Sequence, residues 1–374
     1  MPLIITRIEI YKINIPFMEP LRLAIGVLDG SNSILVRLWA GDRLCGLGEG
    51  TPASFITGET QETCFVAARA LAPLLIGRDA LDIEGRMSDL TAAFVGHSSV
   101  KNAFDMALYD LAARHARLPL YAFLGGAPRD YVTDLTVGVN TPEVMARAAR
   151  AIVAADGLNR PTAIKVKLGT NRADDVARIR AIRAAVGDAM PLRIDANQGW
   201  DEPTAVATLQ ALAEFDIQYC EQPVAGWNIA ALARVRSHSP IPIMADESLF
   251  DHHDAARLVA AEACDYFNIK LGKSGGIHTA LKIAAIAEGA GIPCMIGCYS
   301  ETLLGTSASA HLFAARRIIR FTDLDTPLFY KETPFTGGVV YDGPRAHLRE
   351  DALGLGAEVD AAYLARLEPV VFGG

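Results

Sequence analysis

Lys167, Asp195, Glu221, Asp246 and Lys270 stand in the segments AIKVKLG, LRIDANQ, IQYCEQP, IPIMADES and YFNIKLG, at successive intervals of 28, 26, 25 and 24 residues. A strand, a turn, a helix and a return loop consume about 25 to 30 residues, so the spacing reads as one βα unit per step. Each unit ends its strand on a carboxylate or an ammonium, which gathers these groups on one rim. That is the arrangement of a β/α barrel whose chemistry sits at the C-terminal ends of its strands. The chain reads as an enzyme.

Lys165 and Lys167 lie two apart on one strand, so both side chains face the barrel interior while Ile164, Val166 and Leu168 face the covering helices. Asp195, Glu221 and Asp246 are candidate metal ligands: three hard oxygen donors on consecutive strands favour Mg²⁺ or Mn²⁺ over zinc. One such acid alone is more often a loop residue or a helix cap, and Asp246 before Glu247 and Ser248 fits that plainer reading. Three in succession favour a cation. Lys270 approaches from the side opposite Lys167; an interior salt bridge to Asp246 or Glu247 is the plainer reading and is compatible with a role in chemistry. Asp323 and Asp325 repeat the i, i+2 spacing on the last strand and call for a cation of their own. The GKSGG segment at 272–276 reads as a tight turn more readily than as an anion-binding helix start. GLGEG at 46–50 has no helix after it and is not a dinucleotide fingerprint. None of the eight histidines falls at a strand end.

These groups need a scaffold, and the 374 residues suffice for one large domain and a smaller one. Apolar residues make up 51% against 21% charged, which excludes disorder, and the net charge of −8 disfavours nucleic acid or an anionic membrane as partner. The start alternates like a strand and no run reaches the length of a membrane span. Six scattered cysteines without a CxxC predict a cytoplasmic protein with reduced thiols.

Residues 1–130 do not follow the βα beat. Two strand stretches precede three helical ones near 60–76, 82–94 and 98–116, which predicts an α+β module. From 131 to 326 eight strands alternate with seven helices: 134–139, 163–168, 192–197, 217–222, 241–247, 267–272, 292–298 and 320–325. The expected fold is a modified TIM barrel, (β/α)7β, with an N-terminal α+β capping domain completed by the tail 327–374. An open doubly wound sheet would place its ligand at one crevice; charged groups on five consecutive strands suit a ring better.

At these residues the chain resembles the enolase superfamily, specifically its muconate-lactonizing-enzyme subgroup, over essentially its whole length. RIDANQGW, EQPV, PIMADES and NIKLGKSGG carry the likeness. The resemblance implies Lys165 and Lys167 as the KxK motif, Asp195, Glu221 and Asp246 as Mg²⁺ ligands, and Lys270 as the opposing lysine. Within the subgroup the chain is most similar to dipeptide epimerases, where the DxD motif, here Asp323 and Asp325, binds the substrate ammonium. FITGET (55–60) and GCYSETLLGT (297–306) look similar too, which implies Ile56 and Cys298 at the substrate. Members acting on Ala-Glu carry an arginine in the first capping loop; here Gly26 stands there, with Arg22 four residues earlier. A buried apolar loop around Leu23, Ile25 and Leu28 then predicts a small or apolar second residue. The implied activity is a Mg²⁺-dependent 1,1-proton transfer α to a carboxylate, with a small-molecule dipeptide and further copies of the same chain as partners. O-succinylbenzoate synthesis, N-acylamino acid racemisation and cycloisomerisation are the alternatives within the fold, and a metal-independent Schiff-base barrel is one outside it.

Overall fold

The computed structural model describes residues 2–154 and 160–374. The chain begins with a long antiparallel hairpin, β1 (Arg7–Leu23) and β2 (Gly26–Ala40), followed by β3 (Leu44–Gly50). Three helices follow, α1 (Gln61–Leu75), α2 (Ile83–Ala93) and α3 (Ser98–His115), close to the expected stretches. Alternating Ile8, Ile10, Ile34, Val36 and Leu38 present one apolar sheet face, which α1 covers with Leu71 and Leu75 and α3 with Phe104, Leu108 and Leu111. The GLGEG glycines serve this packing. A Cβ at Gly46 or Gly48 would run into the carbonyl oxygens of Ala107 and Ala103, so α3 can lie directly on β3.

The 18–30 stretch departs from the expectation of a buried loop. It is the tip of the β1–β2 hairpin: Leu21 pairs with Leu28, Arg22 with Val27 and Leu23 with Gly26, after a register shift between Pro16 and Leu21. Pro16 and Pro20 interrupt the alternation, and a two-residue turn, Ala24–Ile25, closes the strands. The tip is half-buried rather than buried, with Arg22, Val27 and Asp29 exposed.

Eight parallel strands then form one sheet in chain order: β4 (Leu135–Val137), β5 (Ile164–Lys167), β6 (Leu192–Asp195), β7 (Ile217–Glu221), β8 (Ile243–Ala245), β9 (Tyr266–Ile269), β10 (Cys294–Gly297) and β11 (Ile319–Asp323). Seven helices alternate with them, α4 (Pro142–Ala154), α5 (Arg172–Val186), α6 (Glu202–Leu212), α7 (Ile229–His238), α8 (His252–Ala260), α9 (Ile277–Ala290) and α10 (Leu303–Ala315). This is the (β/α)7β arrangement. Among the described residues β4 and β11 share no backbone ladder. Side chains close the seam instead: Thr136 N–H donates to Asp325 Oδ2 at 2.8 Å, and Leu324 N–H donates to Thr133 Oγ1 at 2.8 Å.

Outward-facing Ile164, Val166, Leu192 and Ile194 join the large core beneath the helices. Inward-facing residues stack in layers. Tyr219, Met244 and Met295 fill one apolar layer. Arg193, two before Asp195, pairs with Asp134 at 2.7 Å inside the barrel. The last strand, β12 (Val370–Gly373), returns to pair antiparallel with Arg7–Ile10 of β1. Two buried acids of the N-terminal elements dock on the barrel: Glu49 accepts hydrogen bonds from Thr302 and Gly305 N–H, and Asp105 accepts them from Ile277 and His278 N–H. Each thereby caps the positive end of a barrel helix.

Candidate active site

Period-two alternation carries Lys165 and Lys167 to the interior of β5, as their spacing requires, and Asp195 and Glu221 close β6 and β7. Asp246 and Lys270 each sit one residue beyond their strands, where the backbone turns off the barrel rim. All six side chains are buried, and they meet. Lys165 Nζ lies 2.6 Å from Asp323 Oδ2, 2.7 Å from Glu221 Oε2 and 3.3 Å from Asp195 Oδ2. Lys167 Nζ donates to Asp195 Oδ2 at 2.7 Å, and Lys270 Nζ donates to Asp246 Oδ2 at 2.8 Å. Asp246 does not cap the next helix; Asp251 does, through His253 and Asp254 N–H.

The electrostatics follow from burial set against charge. Desolvation opposes the charge of Lys270, but Asp246 and Glu221 outweigh it and hold its pKa above the ordinary lysine value. Lys165 is raised likewise, against desolvation, by Asp323, Glu221 and Asp195. Asp246 is held below the usual carboxylate range despite its burial, because Lys270 and Lys273 stand against it. Glu221 is pushed up to about 7 by burial and by the charge of Asp195, and Glu247 to about 8 by burial and by Asp246.

Above this charged floor lies a cavity lined by Lys167 and Lys270 together with Asn197, Cys298, Tyr299, Asp323 and Asp325. Leu21, Leu23 and Leu28 from the hairpin tip, and Ala53, Phe55 and Ile56, form its apolar cover. Ile56 and Cys298 therefore reach the cavity, as does the DxD pair. Gly26 does not line it. The side-chain direction at that position runs into the Phe55 ring, 3.2 Å away, and Phe55 is the residue that faces inward. The free space inside it is about 40 Å³, covered by the hairpin tip and the 53–56 segment.

Asp323 and Asp325 divide their labour. Asp323 faces Lys165, whereas Asp325 accepts the Thr136 N–H across the barrel seam. Burial and the Asp323 charge push Asp325 up to about 7.

Several residues at the site were not singled out from the sequence. Lys273 is buried and donates to Asp246 and to the Asn268 carbonyl; Asn268 Nδ2 donates to Glu221 Oε1 at 2.8 Å. Asn197 Nδ2 lies 3.3 Å from both Asp195 Oδ2 and Glu247 Oε1. Asn197 and Asn268 each stand two positions from a recognised residue, so the i, i+2 rule would have found them. Tyr299, whose ring lies 4.8 Å from Lys270 Nζ, gives no such signal.

The donor chemistry fits a divalent cation. Asp195, Glu221 and Asp246 offer hard oxygens on adjacent strand ends, and Asn197 Oδ1 and Glu247 Oε2 beside them are buried acceptors without hydrogen-bond partners among the described residues. Among the described residues no three acidic, histidine or cysteine side chains are already disposed around one point as ligands, because the carboxylates are turned toward the lysine ammonium groups.

Residues 6–125 match the family description "Mandelate racemase / muconate lactonizing enzyme, N-terminal domain", and residues 144–363 match "Enolase C-terminal domain-like". The chain belongs to the enolase superfamily, in its muconate-lactonizing-enzyme subgroup. It is 43% identical over 369 residues to the D-Ala-D/L-Ala epimerase of Cytophaga hutchinsonii, covering 98% of this chain and 99% of that one. It is 39% identical to the L-Ala-D/L-Glu epimerase of Clostridium acetobutylicum, covering 95% and 99%. Among solved structures, a dipeptide epimerase from Cytophaga hutchinsonii, complexed with Mg and the dipeptide D-Ala-L-Val, is similar with a TM-score of 0.95 at 43% identity, covering 98% and 99%. The chain is an isomerase.

Proposed function

We propose that the chain is a Mg²⁺-dependent dipeptide epimerase, inverting the carbon α to the substrate carboxylate. The carrying observation is that Lys167 and Lys270, from strands on different sides of the barrel, line one cavity together with the Asp323–Asp325 pair. The similar relatives that act on dipeptides support this reading. Asp195, Glu221 and Asp246 would hold the cation, with Mn²⁺ as a substitute, and when bound it supplies Lewis-acid stabilisation of carboxylate charge.

The residues of the chain do the rest. Lys167 accepts the α-proton from one face and Lys270 returns a proton to the other; in the reverse direction they exchange roles, which requires that Asp246 and Glu221, which favour the Lys270 ammonium here, turn to the cation instead. The Lys165 ammonium, buried among three carboxylates, keeps positive charge at the site while negative charge develops on the substrate. Asp323 and Asp325 receive the dipeptide ammonium, which places the second residue's α-carbon between the lysines. Leu21, Leu23, Leu28, Phe55 and Ile56 cover that residue's side chain and exclude water. A carboxylate side chain there would lose its hydration without gaining a partner, a penalty on the order of 1 to 3 kcal/mol. The preferred second residue is therefore small or apolar.

In this account residues 1–130 with the tail 327–374 form the lid and residues 131–326 the catalytic barrel, in a cytoplasmic homo-oligomer. The reading is tested with a dipeptide library in D₂O containing Mg²⁺, followed by mass spectrometry. Deuterium at the α-carbon of free-amine dipeptides supports it. No exchange in any dipeptide, with α-deuteration of N-acylated amino acids or loss of water from a succinylbenzoate precursor in parallel assays, would assign one of the alternative subgroup reactions instead.

A further inference from the structure

We propose that Lys273 is a positioning residue that orients the carboxylate of Asp246 for the divalent cation, an inference that rests on the metal reading above. Lys273 follows Lys270 by three residues in the GKSGG segment, and the structure accounts for that segment. The chain leaves β9 through a single helical turn, Leu271–Ser274, which ends at Gly275 and Gly276 with φ of 78° and 119°. The turn swings the Lys273 side chain back under the barrel rim beside Lys270, where it is fully buried and has no access to the substrate cavity.

There its ammonium uses all three donors. It donates to Asp246 Oδ1, to the Asp246 carbonyl oxygen at 2.6 Å and to the Asn268 carbonyl oxygen at 2.8 Å. Gripping the carbonyl and the carboxylate of one residue fixes both side-chain torsions of Asp246. The other oxygen, Oδ2, is thereby aimed at the cavity side, where Lys270 meets it. Asn268 completes the arrangement, since its carbonyl anchors Lys273 while its side chain holds Glu221. Partners of this kind behind a ligand typically contribute 10- to 100-fold in metal affinity.

The sign of the effect separates positioning from mere charge. Deleting a positive charge beside a cation site should by itself tighten cation binding, whereas releasing a held ligand should weaken it. A purely structural lysine would lower thermal stability and leave cation affinity alone. The experiment is titration calorimetry with Mg²⁺ alone on wild type, Lys273→Met and Lys273→Gln, with a melting curve for each. Lys273→Met is expected to raise the Mg²⁺ Kd by about 10- to 100-fold, with Lys273→Gln, which keeps an N–H donor, in between. An unchanged or lowered Kd in the folded variants would overturn the proposal. Should neither variant fold, a crystal structure of the wild type with Mg²⁺ decides: the Lys273 ammonium must still hold Asp246 Oδ1, and its release would equally overturn the role. Wild-type protein that binds no Mg²⁺ would overturn the metal reading itself, and this inference with it.

Discussion

Lys165 Nζ lies 2.6 Å from Asp323 Oδ2, so a buried ion pair joins the second barrel strand to the eighth, past the seam where β4 and β11 make no ladder. The same ammonium faces Glu221 and Asp195. One lysine thus neutralises acids proposed for two purposes, cation binding and ammonium binding.

Lys165→Met should destabilise the chain by about 3 to 5 kcal/mol, the usual cost of leaving a buried charge without its partner. Mg²⁺ should restore part of that loss, because it supplies positive charge to the same carboxylates, while activity stays absent. Urea unfolding with and without Mg²⁺ measures both. A loss below about 1 kcal/mol, as at an exposed pair, would contradict the neutralising role.

If Asp325 receives the substrate ammonium, as proposed, substrate binding should depend on pH. Burial and Asp323 raise it to about 7, so it is protonated at pH 6 and charged at pH 8. The KM for free-amine dipeptides should therefore fall as pH rises through 7, and climb again once the substrate amine loses its proton near 8. The stability effect has the opposite sense. A carboxyl raised in the folded chain contributes stability that is full below its unfolded pKa near 4 and is lost as pH rises through 7. Asp325→Asn should then melt a few degrees above wild type at pH 8, with a smaller gap at pH 5, and should bind dipeptides poorly at either pH. A KM flat from pH 6 to 8 would remove Asp325 from ammonium binding.

Phe55 lines the apolar cover of the cavity, so the proposed side-chain selectivity should run through it. In Gly26→Arg the Phe55 ring, 3.2 Å from the new Cβ, must give by a few tenths of an ångström, and a guanidinium is added beside the apolar cover. The ratio of kcat/KM for Ala-Glu over Ala-Leu should rise at least about tenfold, the scale of one charge-assisted hydrogen bond. An unchanged ratio would place selectivity elsewhere in the cover.

The barrel and its charged rim were legible because strand periodicity is local: an acid or lysine closing an apolar run must face one side, and its spacing counts units. What lay beyond that logic depends on tertiary packing or on a change of period. Lys273 returns to the site through one helical turn, so strand alternation could not place it. Pro16 and Pro20 break the pattern that would extend the hairpin to Leu23, so the sequence predicts a buried loop where the structure has a half-buried strand tip. Phe55 took the inward position expected near Gly26 because two chain segments meet there. The seam role of Asp325 follows from the missing ladder between β4 and β11, which no sequence period reports.

The central claim is that two lysines address opposite faces of one α-carbon. It is tested most directly by ¹H NMR in D₂O, with Mg²⁺ and each epimer of a reactive dipeptide, on Lys167→Ala and Lys270→Ala. Neither variant should epimerise. Each should exchange the α-proton of only one epimer, the two variants acting on opposite ones, because the surviving lysine reaches a single face. Normal epimerisation by both variants, or loss of exchange on the same epimer in both, would contradict the account.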